Sequence, residues 1–200
     1  MFEIEQIASE TPVLGWPVLV AVDGVDGSGK TTFAVKLAGA YQREGWPVHV
    51  VHLDDYLHPR AVRYRLGRDS PEGYFRDTYD LDAFRQHVID PLRLNGSRTI
   101  LPRWFDHRKD VPAETEPITV VSDAVVIVEG MFLHRDQLAE VWDASVFLDV
   151  PFEVSMARMA LRDGCDPDPR HPSNLRYVEG QRIYLSTCSP ADRATYLVRN

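Results

Sequence analysis

Residues 24 to 31, Gly-Val-Asp-Gly-Ser-Gly-Lys-Thr, set two glycines, a lysine and a hydroxyl at the spacing G-x-x-x-x-G-K-T. That pattern is a phosphate loop. Glycine lets the backbone turn and approach where a side chain would block it, so successive N–H groups can point inward around an anion, and the following helix adds its positive end. Lys30 is placed to reach the terminal phosphates of a nucleoside triphosphate. The Thr31 hydroxyl is placed to ligate the Mg2+ that accompanies them. The expected nucleotide-binding set is Gly24, Asp26, Gly27, Ser28, Gly29, Lys30, Thr31 and Thr32, the last chiefly as part of the first helical turn.

Phosphoryl transfer needs a few more groups, and the chain offers candidates. The run VVHLDDYLHP brings Asp54 and Asp55 to the end of a strand, where an acceptor hydroxyl would meet the γ-phosphate. Asp54 is the candidate base that orients the hydroxyl and takes its proton, and Asp55 could exchange roles with it. A lone Asp here could equally start a loop or cap a helix. The run VVIVE closes on Glu129, a carboxylate for Mg2+ or its water shell. Arg158 and Arg162, four residues apart on one helix face, could close over the phosphates, or could form an exposed face paired with Glu153 and Asp163. Asp80, Trp104, His107 and Arg108 lie in or beside two long insertions and could line an acceptor pocket by hydrogen bonding and stacking.

The elements that must position these residues alternate. Strands are expected over 18–22, 48–53, 125–128, 145–150 and 196–198, with helices over 31–44, 81–89, 136–142, 152–162 and 173–185. Gly45 reads as a helix stop. Continuous apolar strands separated by helices predict a parallel sheet of about five strands covered by helices on both faces, the α/β three-layer sandwich of P-loop NTPases. Two segments interrupt the rhythm, near 56–80 and 92–117, and are expected to build the acceptor site. A lid is expected near 158–172. Both insertions follow strand ends, on the side where open α/β sheets bind ligands.

Two hundred residues, 44% hydrophobic and 26% charged, predict one domain spanning 1–200. A net charge of −8 argues against a nucleic-acid polymer as partner and favours a small phosphorylated ligand. No apolar run approaches a membrane span and the N-terminus lacks a signal-peptide layout, so a cytoplasmic protein is expected. Cys165 and Cys188 match no metal or redox spacing and read as reduced thiols; His49 and His52, three apart on a strand, cannot share a metal and read as structural.

GVDGSGKTT, LDDY, RDSPEGYFRDTYDLDAF, VVIVEG, WDASVFLDV and RMALRDG together resemble the uridine kinase group of P-loop kinases, which includes phosphoribulokinase-like and pantothenate-kinase-like proteins. The resemblance implies ATP and Mg2+ as cofactors and transfer of the γ-phosphate to a small-molecule hydroxyl, the 5'-hydroxyl of a nucleoside in uridine kinases. By that likeness Asp54 is the catalytic aspartate, with Tyr56 beside it in the acceptor motif. Asp80 holds the sugar, His107 and Arg108 belong to the base-and-sugar pocket, and Arg158 and Arg162 are the lid arginines. The phosphate loop by itself is similar to that of thymidylate kinases. A nucleoside monophosphate kinase, using Arg63, Arg65, Arg68 and Arg76 on the acceptor phosphate, is one alternative; a non-catalytic ATP-binding switch is another. A homo-oligomer is left open.

Overall fold

A computed structural model describes residues 4–199. It begins with α1 (Ile4–Ser9), β1 (Val18–Gly24), α2 (Lys30–Arg43) and β2 (Val48–His52), followed by a 3-10 turn over Leu53–Tyr56. The first insertion carries α3 (Arg60–Arg63) and α4 (Pro71–Asp77), and leads into α5 (Leu81–Phe84), a π turn over Arg85–Ile89 and α6 (Asp90–Leu92). Two small antiparallel pairings follow: β3 (Thr99–Ile100) with β6 (Ile118–Thr119), and β4 (Phe105–Asp106) with β5 (Val111–Pro112). The chain closes with β7 (Val125–Glu129), β8 (Ala144–Asp149), α7 (Phe152–Asp163), α8 (Leu175–Cys188), α9 (Pro190–Arg193) and β9 (Tyr196–Arg199).

The central sheet is parallel throughout, in the order β2-β7-β1-β8-β9. Every residue of β1 and β7 is buried, because both faces are covered. Alternation across β1 separates the two cores. Val18, Val20 and Val22 pack with α1 and α2 against Leu37 and Tyr41, while Leu19 and Ala21 face Phe84, Ile89, Phe132 and Tyr184 on the opposite side. The three-layer α/β sandwich read from the sequence is the fold observed.

Two local readings are corrected, and one element is new. No helix forms over 136–142. The N–H groups of Leu138 and Val141 donate to carbonyls three residues back (2.8 and 3.1 Å), and Trp142 Nε1–H folds onto the Leu133 carbonyl at 2.8 Å. The apolar spacing of Leu138 and Val141 reflects burial of successive turns. The helix expected over 81–89 continues to Leu92 but widens into the π turn. Pro91 has no N–H to give the His87 carbonyl, which instead accepts from Leu101 N–H at 3.1 Å. The short α1, unforeseen, packs on α2. Among the described residues no helix is long and apolar enough to cross a membrane.

Candidate active site

The turn from β1 into α2 carries the phosphate loop. Gly27 has φ 71°, and a Cβ there would stand 2.4 Å from the Ser155 carbonyl oxygen and 2.8 Å from Met159 Cγ, so α7 sits directly on the loop. Gly29, at φ 97°, opens α2. Lys30 Nζ donates to the Val25 carbonyl at 2.9 Å, and Arg158 Nη1 reaches the Ser28 carbonyl at 3.4 Å. Parallel register places Glu129 beside Val22 on one side and His52 on the other. Glu129 Oε1 consequently meets both Thr31 Oγ1 at 3.2 Å and His52 Nδ1 at 2.6 Å. That bond to Glu129 holds the His52 imidazole above its ordinary range.

Two cavities share Asp26, Asp54 and Met131 in their walls. The first, about 160 Å³, is walled by Gly27, Gly29, Lys30, Thr31, Thr32, Glu129 and Arg162. The second, about 200 Å³, is walled by Arg63, Tyr64, Tyr74, Tyr79, Arg176 and Tyr177. Asp54 Oδ1 accepts from Tyr79 O–H at 2.8 Å, whereas Asp55 turns away to Arg103 at 2.9 Å. Burial raises the Asp55 carboxyl and Arg103 pulls it back. Asp26 Oδ2 accepts from Tyr74 O–H at 2.9 Å and Gln181 Nε2 at 3.4 Å, which ties the loop to α4 and α8. Burial raises Asp26 against the opposing pull of Lys30. Burial likewise lifts the Tyr74 and Tyr79 phenols well above their usual range, with Asp26 and Asp54 adding to it.

The oxygen donors Thr31 and Glu129 suit a magnesium ion that keeps most of its shell as phosphate and water. Among the described residues no three His, Cys, Asp or Glu side chains converge as a metal cluster. Arg162 lines the first cavity while holding Asp163 through Nη2 at 2.6 Å, a pairing that raises its pKa. Both readings of that arginine thus find a counterpart in the geometry.

Several residues singled out for the acceptor pocket lie elsewhere. Tyr56 is fully buried, edge-on to Phe84 with centroids 5.1 Å apart, and its hydroxyl donates to the Leu101 carbonyl. Asp80 caps α5 by accepting from Ala83 N–H at 3.0 Å, with His58 Nδ1 3.7 Å away. Trp104 stacks on His87 at 4.5 Å, and His107 and Arg108 occupy the turn between β4 and β5, outside both cavities. The four arginines at 63, 65, 68 and 76 split into two pairs, Arg63 and Arg68 against the Tyr64 ring and Arg65 and Arg76 along a different cavity. Arg65 is held bidentate by Asp77 (2.9 and 2.7 Å), Arg76 pairs with Glu72, and Arg68 lies against the Tyr64 ring. Only Arg63 among them reaches the second cavity.

Sequence reading missed the tyrosine wall, although Tyr74 and Tyr79 stand within RDSPEGYFRDTYD. It missed His52 as a partner of Glu129, because that contact depends on strand order. It also missed the buried support beneath the loop. Asp23 Oδ2 meets His134 Nδ1 at 2.7 Å, Leu133 N–H at 3.1 Å and the Tyr184 hydroxyl, while Asp23 Oδ1 accepts from Gly24 N–H at 2.7 Å. One carboxylate thereby joins the end of β1, the loop after β7 and α8.

Known proteins are similar to this chain in sequence and in fold. The family model described as Phosphoribulokinase / Uridine kinase family matches residues 19–166. A uridine kinase of Saccharomyces cerevisiae is 29% identical over 155 residues, a match spanning 74% of this chain but 29% of that longer protein. A uridine kinase of Deinococcus deserti is 30% identical over 189 residues, covering 88% of this chain and 84% of the relative. Among solved structures, a possible uridine kinase from Bacillus stearothermophilus superposes with a TM-score of 0.75 over 98% of this chain and 96% of its own, at 22% identity, a likeness of fold. With its phosphate loop, its parallel sheet and this span of matched residues, the chain belongs to the phosphoribulokinase and uridine kinase family and is a P-loop phosphotransferase.

Proposed function

We propose that this kinase transfers the γ-phosphoryl group of ATP to a hydroxyl of a small molecule, and that the acceptor is a nucleoside phosphorylated at its 5'-hydroxyl. The observation that carries the reading is the position of Asp54, in the wall of both the cavity of Lys30 and Thr31 and the cavity of the tyrosines. A hydroxyl entering from the tyrosine side meets a carboxylate before it meets the phosphates. Asp54 accepts the hydroxyl proton as the acceptor oxygen bonds to phosphorus and the bond from phosphorus to the bridging oxygen breaks. Tyr79 holds that carboxylate in place through its 2.8 Å bond.

Loop N–H groups and Lys30 cradle the phosphates, and Arg158 and Arg162 on α7 supply positive charge as it spreads over the equatorial oxygens. Thr31 and Glu129 would hold Mg2+, which neutralises phosphate charge when bound. Tyr64, Tyr74 and Tyr177 offer ring faces and hydroxyls suited to a flat, hydroxyl-bearing acceptor. The Arg63 side chain in the same wall also fits an acceptor with one anionic group, so nucleosides and their monophosphates must be compared.

The test is ADP release from Mg-ATP with uridine, cytidine, other nucleosides, their monophosphates, pantothenate and simple sugars. Nucleoside-dependent release is expected, falling by about 10²-fold or more in Asp54→Asn while ATP affinity is retained. Normal turnover in Asp54→Asn rejects that residue as the base. Release driven only by monophosphates, pantothenate or sugars rejects the nucleoside.

A further inference from the structure

Away from the active site, a solvent-open cavity of about 630 Å³ lies between α4, the loop after β7 and the end of α8. Its walls carry three arginines, Arg65, Arg76 and Arg135, and three acids, Glu72, Asp77 and Asp136. The acids are all engaged: Asp77 by Arg65, Glu72 by Arg76, and Asp136 by Arg193 at 2.7 Å. Arg135 is left over. It is 6% exposed, its guanidinium lies 4.6 Å above the Phe75 ring, and Nη1 is buried without a hydrogen bond. Among the described residues its side chain forms neither an ion pair nor a hydrogen bond.

Buried charges in proteins are ordinarily paired, since an uncompensated one loses its hydration without return. A cation–π contact recovers only part of that loss. Desolvation pulls the Arg135 pKa below its usual value, while Cys188, Tyr184 and Asp77 oppose the shift and Arg76 adds to it. The cavity falls in the size range of small-molecule sites. We propose that this cavity is a second ligand site, which binds a small phosphate- or carboxylate-bearing anion on the guanidinium of Arg135. The bound anion supplies the missing counter-charge, and Gln137 in the wall adds an amide to the site. The site is coupled in sequence to the catalytic end. Arg135 follows His134, which is fastened to Asp23 beneath the phosphate loop, and the stretch begins at Glu129.

The test is thermal melting of the whole chain with Mg-ADP saturating the phosphate loop, titrating inorganic phosphate in one arm and citrate in the other against sodium chloride of equal ionic strength. Wild type is expected to gain about 3 °C at tenfold excess over the dissociation constant. Arg135→Met, which keeps the packing on Phe75 and removes the charge, is expected to melt no lower than wild type without anion and to show no gain with it. Arg135→Gln serves the same comparison if the methionine variant does not fold. The arm that produces the shift distinguishes phosphate from carboxylate. No shift in wild type up to about 20 mM of either anion, or an equal shift in wild type and variant, overturns the proposal.

Discussion

Replacing Gly27 by alanine tests whether α7 is seated on the phosphate loop. The new Cβ would lie 2.4 Å from the Ser155 carbonyl oxygen, where real Cβ contacts stay above 3.0 Å, so helix or loop must withdraw by at least the 0.6 Å difference. Left-handed backbone at φ 71° adds about 1–2 kcal/mol of strain for alanine, and the overpacking about 1–3 kcal/mol. The combined loss, roughly 2–5 kcal/mol, corresponds to a melting point lower by about 5–15 °C for a chain of this size. Gly29→Ala is the control. That residue is also left-handed, at φ 97°, but its Cβ would meet nothing within 4 Å, so strain acts there alone. Because α7 carries Arg158 and Arg162, a shift approaching 1 Å should also lower kcat by about 10–100-fold. Scanning calorimetry and ADP-release kinetics on both variants read the two effects. If Gly27→Ala melts like Gly29→Ala, the contact with α7 is not what holds the loop.

The remaining predictions concern the acceptor site and the support beneath the loop. Arg63→Ala should raise acceptor KM by about tenfold and leave ATP KM unchanged, while Arg108→Ala alters neither; the opposite pattern would move the acceptor to the turn between β4 and β5. Tyr56→Phe should cost about 1–2 kcal/mol of stability, seen as a lower denaturant midpoint, with acceptor KM intact, since its hydroxyl serves the Leu101 carbonyl. His134→Ala should leave the Asp23 carboxylate short of one hydrogen-bond partner and destabilise the fold by about 1–3 kcal/mol; a denaturation curve that superposes on wild type would show the buried contact to be idle.

How much of the site is legible in one dimension follows from how far each contact reaches along the chain. Lys30 and Thr31 lie in a single turn with Gly24 to Gly29, so local spacing suffices to assemble them. Glu129 was readable as the acid closing an apolar strand, because strand ends in a parallel sheet share one edge. Asp54 and Asp55 were not separable. Adjacent residues in a 3-10 turn point in different directions, and only the packed structure shows Asp55 drawn to Arg103 while Asp54 meets Tyr79. Tyr56 read as an acceptor residue for its place beside them, yet the same turn directs it into the core.

The sequence by itself determined the chemistry at the phosphate end and the layered parallel sheet, since both rest on short-range spacing and on apolar periodicity. Tertiary structure alone decided the tyrosine-lined cavity proposed for the acceptor. Arg63, Tyr74, Tyr79 and Tyr177 come from separate segments brought together by α4 packing on α8. The hairpin bearing His107 and Arg108 is meanwhile anchored beside Asp55, where Trp104 N–H donates to the Asp55 carbonyl at 3.1 Å. Side-chain direction and helix packing are properties of the folded core, set by close packing among residues distant in sequence, and local pattern does not contain them.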